Sequence, residues 1–293
     1  MNALKTIRRV GRRLPPHFKH WGKTLLDSDY RLKHQELARL RSLPHYHSTV
    51  TSILGQHLEV LDGPTFVPMY EEIFERQIYC FPTKEERPYI IDGGANIGLS
   101  VLYLKRLYPN SQIIAFEPDD QIFAALKSNI EKSGYRDITL LCRALWSSET
   151  ELNFMSEGAD GGRLSQADDP SNTVVTTARL RDYLNRKVDF LKLDIEGAET
   201  EVLMDCTDLL NNVENLFVEY HSFSKQPQTL HTLIGILTNA GFRLHVTQPF
   251  NISLQPFMNQ YASLGMDLQL NIFAFRELSS KVVYERMKEV AYS

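Results

Sequence analysis

Twelve consecutive residues constrain this chain more than any others: Tyr89-Ile90-Ile91-Asp92-Gly93-Gly94-Ala95-Asn96-Ile97-Gly98-Leu99-Ser100. The apolar run Tyr89 to Ile91 predicts a buried strand. It ends in an acid and a turn holding Gly93, Gly94 and Gly98, and Leu99 to Leu104 carries the pattern into a helix. Strand, glycine turn and helix is the layout of a nucleotide site in a doubly wound sheet. Glycines let the backbone come close to a ligand, and the helix N-terminus offers unpaired N–H groups.

From Tyr89 onward the pattern alternates. A helix near 98–108 is followed by a strand from Gln112 to Phe116 with Glu117-Pro118 at its tip. A helix near 119–133 stops at Ser133-Gly134, and Ile138 to Leu141 is a third strand. Val188 to Asp194 predicts a fourth strand ending in acid, Ala198 to Leu210 a helix, and Leu216 to His221 a fifth strand. Residues 228–240 form a helix closed by Gly241, and Arg243 to Thr247 and Leu270 to Phe275 give two more strands. Alternation of this length predicts an α/β fold whose mainly parallel sheet is covered on both faces. Residues 147–178 break the rhythm with a hairpin, then Gly158 to Arg163, then Thr173 to Thr177. This glycine-rich insertion reads either as a mobile lid or as a plain surface connection.

Ahead of the alternation, Tyr30 to Leu43 is rich in helix formers. Leu58 to Leu61 and Thr65 to Val67 suggest short strands broken by Asp62-Gly63-Pro64, and Tyr70 to Tyr79 has apolar residues at helical spacing. The chain is therefore expected to divide into a mixed N-terminal extension, 1–69, packing on a main domain, 70–293. In its first stretch Lys5, Arg8, Arg9, Arg12, Arg13, Lys19 and Lys23 precede the first acid, Asp27, with Leu4, Ile7, Val10 and Leu14 at helical spacing. Residues 1–24 thus read as a basic amphipathic helix for an anionic membrane surface or a partner, or as a solvated, frayed terminus.

The net charge of -4 gives no reason to expect nucleic acid as partner. Three cysteines, Cys80, Cys142 and Cys206, lie far apart with no zinc-type spacing, which suggests reduced thiols. No apolar run approaches the ~18 residues of a membrane span, and the basic terminus lacks the apolar core of a signal peptide. The expected location is cytoplasmic, with any peripheral contact at the inner face of the membrane.

Three ligands compete for the glycine turn. A phosphate-gripping loop needs a Lys-Ser/Thr pair after the glycines, and none is present. A dinucleotide site wants GxGxxG, whereas the order here is Asp92-x-Gly94-x-x-x-Gly98. An anionic Asp92 is also badly placed beside a pyrophosphate. It suits S-adenosylmethionine, which carries a sulfonium and an amine and no phosphate. Glu117, 19 residues beyond Gly98, can accept hydrogen bonds from both ribose hydroxyls. The acids disfavour NAD only in part; with the glycine spacing they favour the methyl donor.

Asp92 to Gly98, Phe116-Glu117-Pro118 and Lys192-Leu193-Asp194-Ile195-Glu196-Gly197-Ala198-Glu199 together resemble the FkbM family of S-adenosylmethionine-dependent methyltransferases, over roughly residues 70–250. The resemblance implies a class I methyltransferase (Rossmann-like) fold: a seven-stranded, mainly parallel sheet whose last strand runs antiparallel, with helices on both faces. It also implies O-methylation, commonly on sugars or natural-product hydroxyls. Carried over by position, Asp92, Gly94, Asn96 and Gly98, with Gly93 among them, line the methionine half of the cofactor, and Glu117 holds the ribose. Asp119 either approaches the adenosine or caps the following helix. Ala144 and Leu145 border adenine.

Methyl transfer needs the acceptor oxygen in line with the S–CH3 bond and gains from a base that takes its proton. Asp194 and Glu196 are two apart, as are Glu219 and His221, so in extended chain each pair projects to one face. If strands four and five adjoin, all four gather at the carboxyl edge, where ligands bind. His221 is the candidate base, against a histidine that merely hydrogen-bonds the loop Ser222-Phe223-Ser224. Asp194 positions the acceptor or the sulfonium, or is a structural cap; Glu196 touches substrate. Glu199 reads as a charge in the first helical turn. Lys192 is placed on the acceptor side or as a partner for one of the carboxylates, and Glu219 and Arg163 on the acceptor side. Three carboxylates and a histidine suit magnesium as well, but a histidine base makes a metal unnecessary, so none is assigned.

The expected acceptor is a small molecule or glycan, on whose ring Tyr220, Phe223 or Phe250 would stack unless they are core. Two other classes stay open. One is an NAD-linked sugar oxidoreductase or epimerase, which lacks support from GxGxxG or a Tyr-x-x-x-Lys pair; the other is a cofactor-binding module without turnover.

Overall fold

The computed structural model describes residues 28–155, 163–164, 172–249, 255, 257–258 and 265–276. The basic segment 1–24, the glycine run 158–162, Phe250 and the C-terminal tail lie outside them, as does the side chain of Arg163.

The chain divides into two units, Met1–Pro68 and Met69–Ser293. In the first, helix α1 (Ser28–Arg41) precedes a two-stranded antiparallel pair, β1 (Thr49–Thr51) and β2 (Leu58–Val60). The expected strand at Thr65 to Val67 is instead part of helix α2 (Gly63–Tyr70). The reason is Asp62, whose buried carboxylate accepts from Thr65 N at 3.0 Å and Tyr46 N at 2.7 Å. An acid that takes an orphan N–H of the first turn starts a helix, and Pro64 sits where a missing N–H costs nothing. Tyr70 to Tyr79, read as a helix, is a π-helical turn over Glu71–Glu75 that ends before Gln77 at φ 56°.

The second unit is built on a seven-stranded sheet. In chain order its strands are β3 (Tyr89–Gly93), β4 (Gln112–Phe116), β5 (Ile138–Leu141), β10 (Val188–Leu193), β11 (Val213–Phe223), β12 (Arg243–Thr247) and β13 (Met266–Phe275). Their spatial order is β12-β13-β11-β10-β3-β4-β5. All run parallel except β13, which is antiparallel to both β11 and β12. This is the class I methyltransferase sheet, with the last strand reversed as expected. Helices α3 (Leu99–Leu107), α4 (Asp120–Ser133), α5 (Glu199–Asp205) and α6 (Leu230–Asn239) make the crossovers. Every residue of β3 and of β10 is buried, as central strands covered on both faces must be. Ile91, Leu191, Leu193, Val218 and Ile272 share one core cluster with Val202 of α5 and Leu233 of α6.

Residues 144–179 hold a separate four-stranded sheet in the order β6-β9-β7-β8, from β6 (Ala144–Trp146), β7 (Glu151–Met155), β8 (Arg163–Leu164) and β9 (Asn172–Arg179). The hairpin expected ahead of Gly158 is not found among the described residues; β7 pairs antiparallel with β8 and with β9, the strand that holds the Thr173 to Thr177 run. No helix among the described residues is long and apolar enough to cross a membrane.

Strand order reverses between β3 and β10: the chain leaves β3 toward β4 and β5, and leaves β10 toward β11. A crevice opens at the carboxyl ends of strands that part in this way. The register sets Asp92 beside Lys192 and Gly93 beside Leu193, so both motifs end at that crevice.

Candidate active site

The glycine turn is shaped by its neighbours. Gly94 sits at φ 80°, and a Cβ there would stand 1.8 Å from the carbonyl oxygen of Asp194. Its N–H and that of Ala95 donate to Phe116 O at 3.0 and 2.9 Å, tying the turn to β4. Asn96 takes the left-handed region at φ 48°, which asparagine tolerates, and its Oδ1 accepts from Ile97 N at 2.7 Å. Gly98 caps α3 at φ 95°, where a Cβ would press on Leu126 at 2.8 Å. A Cβ on Gly93 would meet Leu145 Cδ1 at 2.7 Å, so Leu145, at the start of β6 with Ala144, packs against the turn.

Glu117 is buried at the tip of β4. Its Oε2 accepts from Asn96 N at 3.0 Å and its Oε1 from Asp119 N at 3.1 Å. Each oxygen keeps a lone pair for a further donor. Burial pushes its carboxyl up to about 7, against the two backbone N–H groups. Asp119 is the N-cap of α4, accepting from Gln121 N at 2.9 Å and Ile122 N at 3.0 Å. The cap, one of its two readings, is present.

Between β3 and β10 lies a buried charge cluster. Asp92 is fully buried; its Oδ2 accepts from Ser100 Oγ, and its Oδ1 stands 3.4 Å from Lys192 Nζ. Lys192 donates to Gly94 O at 2.7 Å and Gly93 O at 3.2 Å, and pairs with Asp194 Oδ2 at 3.3 Å. Burial alone would lower its pKa; Asp194, Asp92 and Glu219 outweigh that and raise it, so the ammonium is permanent. Of the two places offered to Lys192, it occupies the one among the carboxylates.

The loop after β10 carries the acids. Glu196 is held at φ 55° and Gly197 at φ 98°, where a Cβ would meet Phe223 at 2.9 Å. Glu199 is the charge in the first turn of α5 that was expected, and it is buried beneath this loop. Its Oε1 accepts from Ile195 N and Gly197 N, both at 3.1 Å, and Oε1 also lies 3.1 Å from His221 Nδ1. On the other side of the ring, His221 Nε2 is 3.7 Å from Glu196 Oε2 and 3.3 Å from Gln269 Nε2. Gln269 stands opposite His221 on β13 and donates to Glu219 Oε1.

The tips of β10 and β11 thus bring together Asp194, Glu196, Glu219 and His221. Glu219 is pushed up to about 8 by burial and by Asp194, against the pull of His221 and Gln269. Glu196 also rises well above the carboxylate range, through burial and then Asp194 and Glu199. Burial would lower the pKa of His221, but Glu196, Glu199 and Glu219 raise it well above 6.5. Asp194 and Glu196 keep 26% and 19% of their side chains exposed, against 2% for His221, so an incoming ligand meets those carboxylates first.

Asp194, Glu196 and His221 bring polar atoms within 4.8 Å of one another, a span a divalent ion could bridge. The Lys192 ammonium, 3.3 Å from Asp194, already supplies positive charge there. Tyr220 is core, its hydroxyl accepting from Thr229 N at 3.0 Å.

Reading the sequence missed Glu199 and Gln269 as parts of this site. Glu199 carried a signal, an acid two residues after a glycine that must turn, whose N–H needs an acceptor. Gln269 carried none, because β13 begins at Met266 and not at Leu270.

Residues 92–244 match the methyltransferase FkbM domain. The chain is 28% identical over 209 residues to Methyltransferase 1 of Beauveria bassiana, covering 62% of this chain and 82% of that protein. It is 25% identical over 218 residues to the 31-O-demethyl-FK506 methyltransferase FkbM of Streptomyces tacrolimicus, covering 61% and 83%. With the 2-O-methyltransferase NoeI of Sinorhizobium fredii it shares 26% over 171 residues, covering 50% and 68%.

Proposed function

The chain belongs to the FkbM methyltransferase family, and on that premise we propose that it transfers a methyl group to a hydroxyl oxygen of a sugar, glycan or other small-molecule acceptor, with His221 as general base. S-adenosylmethionine is its cofactor. Two relatives carry transfer to oxygen in their names, which supports oxygen as the atom methylated here.

The strand tips fit that cofactor. Glu117 offers two spare lone pairs to a ribose diol, and Asp92 puts negative charge behind the glycine turn, where an amine and a sulfonium are welcome and a pyrophosphate is not. When bound, the cofactor supplies an electrophilic methyl group. The residues Asp92, Gly94, Asn96 and Gly98 would hold its methionine half, Glu117 its ribose, and Ala144 and Leu145 would border its adenine.

The protein's own part is positioning and proton removal. Asp194 and Glu196, the more exposed acids, hold the acceptor through its hydroxyls. His221 takes the proton from the reacting hydroxyl on Nε2, and Glu199, Glu196 and Glu219 stabilise the imidazolium that forms. Lys192 keeps Asp92 and Asp194 in place. One observation carries this reading: His221 Nδ1 is engaged by Glu199 while its other nitrogen faces the loop acids at the carboxyl edge.

The test is transfer of labelled methyl from S-adenosylmethionine to neutral glycans, sugar nucleotides and polyketide alcohols. His221→Ala should abolish turnover and leave cofactor affinity by calorimetry within a few-fold. Unchanged turnover would remove His221 from this role. Asp92→Ala and Glu117→Ala should weaken cofactor binding.

A further inference from the structure

One imidazole is held from both sides by two buried residues, Glu199 and Gln269. Glu199 Oε1 lies 3.1 Å from His221 Nδ1 and also takes two backbone N–H groups. An ionised carboxylate only accepts, so the proton of the neutral ring belongs on Nδ1. On the far side, Gln269 Nε2 lies 3.3 Å from His221 Nε2. Glu219 fixes that amide's orientation by accepting from the same nitrogen, so an amide N–H faces Nε2, and Nε2 meets it with a lone pair.

This orientation has a cost. Gln269 Oε1 is buried with no hydrogen-bond partner among the described residues, and an orphaned buried acceptor is destabilising. The amide gives up that bond in order to point its nitrogen at both Glu219 and His221. The pairing is built into the sheet, because His221 and Gln269 are direct partners in the β11–β13 register.

We propose that Glu199 and Gln269 are positioning residues for His221: Glu199 locks the tautomer with its proton on Nδ1, and Gln269 covers the Nε2 lone pair until an acceptor hydroxyl displaces it. The proposal rests on the reading of His221 as base. An arriving hydroxyl donates to Nε2 in place of the Gln269 amide, which keeps its bond to Glu219. The acceptor's proton then passes to Nε2 while the other proton stays on Nδ1, still donated to Glu199. The charged groups around the ring are Asp194 and Glu196 from the loop after β10, Glu199 from α5, Glu219 from β11 and Lys192 from β10.

The experiment needs no acceptor. The full chain, labelled with ¹⁵N-histidine, is examined by long-range ¹H–¹⁵N NMR at an alkaline pH where the ring is neutral, with His221 assigned by the signal lost in His221→Gln. The expected result is a single tautomer with its proton on Nδ1 and a mixture in Glu199→Gln. A proton on Nε2 in the unaltered chain overturns the proposal, and that reading depends on no variant folding. Gln269→Ala should raise the rate at which diethyl pyrocarbonate modifies His221 several-fold, as followed by mass spectrometry at that residue; an unchanged rate overturns the covering role. Failure of the base reading looks different, since His221→Ala would then still transfer methyl whichever tautomer is found.

Discussion

Gly94 and Asp194 meet backbone to backbone, so close that a Cβ on Gly94 would stand 1.8 Å from the Asp194 carbonyl oxygen. Asp194 N donates to Gly93 O at 3.1 Å, so the two motifs are stitched together where β3 and β10 part. A side chain at Gly94 meets backbone, which cannot swing away, and the residue also sits at φ 80°. Left-handed strain and overpacking together cost about 2–4 kcal/mol. Gly94→Ala should therefore lower the melting temperature by several degrees and abolish calorimetric binding of S-adenosylmethionine. A variant with unaltered melting and affinity would mean that the two strands can separate freely.

Lys192 lies between two carboxylates, Asp92 and Asp194, at the seam of β3 and β10. Removing a partner from a buried pair costs about 3–5 kcal/mol, because a buried charge is left uncompensated. Lys192→Met should destabilise by that order in denaturant unfolding at pH 7. The sign of its pH dependence follows. The charge left uncompensated is that of carboxylates, which acid neutralises, so the deficit relative to the unaltered chain shrinks as pH falls. A deficit that stays constant between pH 7 and pH 4 would assign the loss to packing and not to charge.

If Glu117 holds the ribose, as proposed, it links cofactor affinity to pH. Its carboxyl is pushed up to about 7 by burial, and only the ionised form accepts from both ribose hydroxyls. Affinity for S-adenosylmethionine should fall as pH drops through that value, by at most about tenfold per unit, as one linked proton allows. Calorimetry across this range should show the slope in the unaltered chain and its absence in Glu117→Gln. A slope that survives the substitution would move the linkage to another group.

The sheet was legible because its signals are local. Apolar runs of strand length, glycine at the turns and acids at the strand tips place β3, β4, β5 and β10 without reference to one another. Asp194, Glu196, Glu219 and His221 fall together because alternation along a strand and adjacency of β10 and β11 suffice to gather them. What escaped depends on partners distant in sequence. Thr65 to Val67 looks like strand by composition, yet the Asp62 cap turns it into helix. Glu199 falls in the first helical turn as read, and only the fold shows that His221 converges with the loop N–H groups on its carboxylate. Lys192 was open between two places because its neighbour Asp92 lies 100 residues away. Gln269 depends on how far β13 extends, which its pairing with β11 decides.

Glu196 separates local strain from chemistry. It stands at φ 55°, a region costing a non-glycine residue about 1–2 kcal/mol. Its carboxyl is also crowded by burial and by Asp194, Glu199 and Glu219. The loop itself is held by the N–H groups of Ile195 and Gly197 on Glu199, so the Glu196 side chain is not needed to keep its shape. Glycine at this position relieves the left-handed strain and removes the crowded acid, while the greater freedom of the unfolded chain takes back about 0.5–1 kcal/mol. Glu196→Gly should melt at the same temperature or higher. Its turnover, measured on an acceptor identified by the labelled-methyl screen, should drop at least tenfold as the acceptor loses a positioning contact. A fall of several degrees in melting temperature would show that the side chain braces the loop, and full turnover in a stable variant would leave Asp194 to hold the acceptor without it.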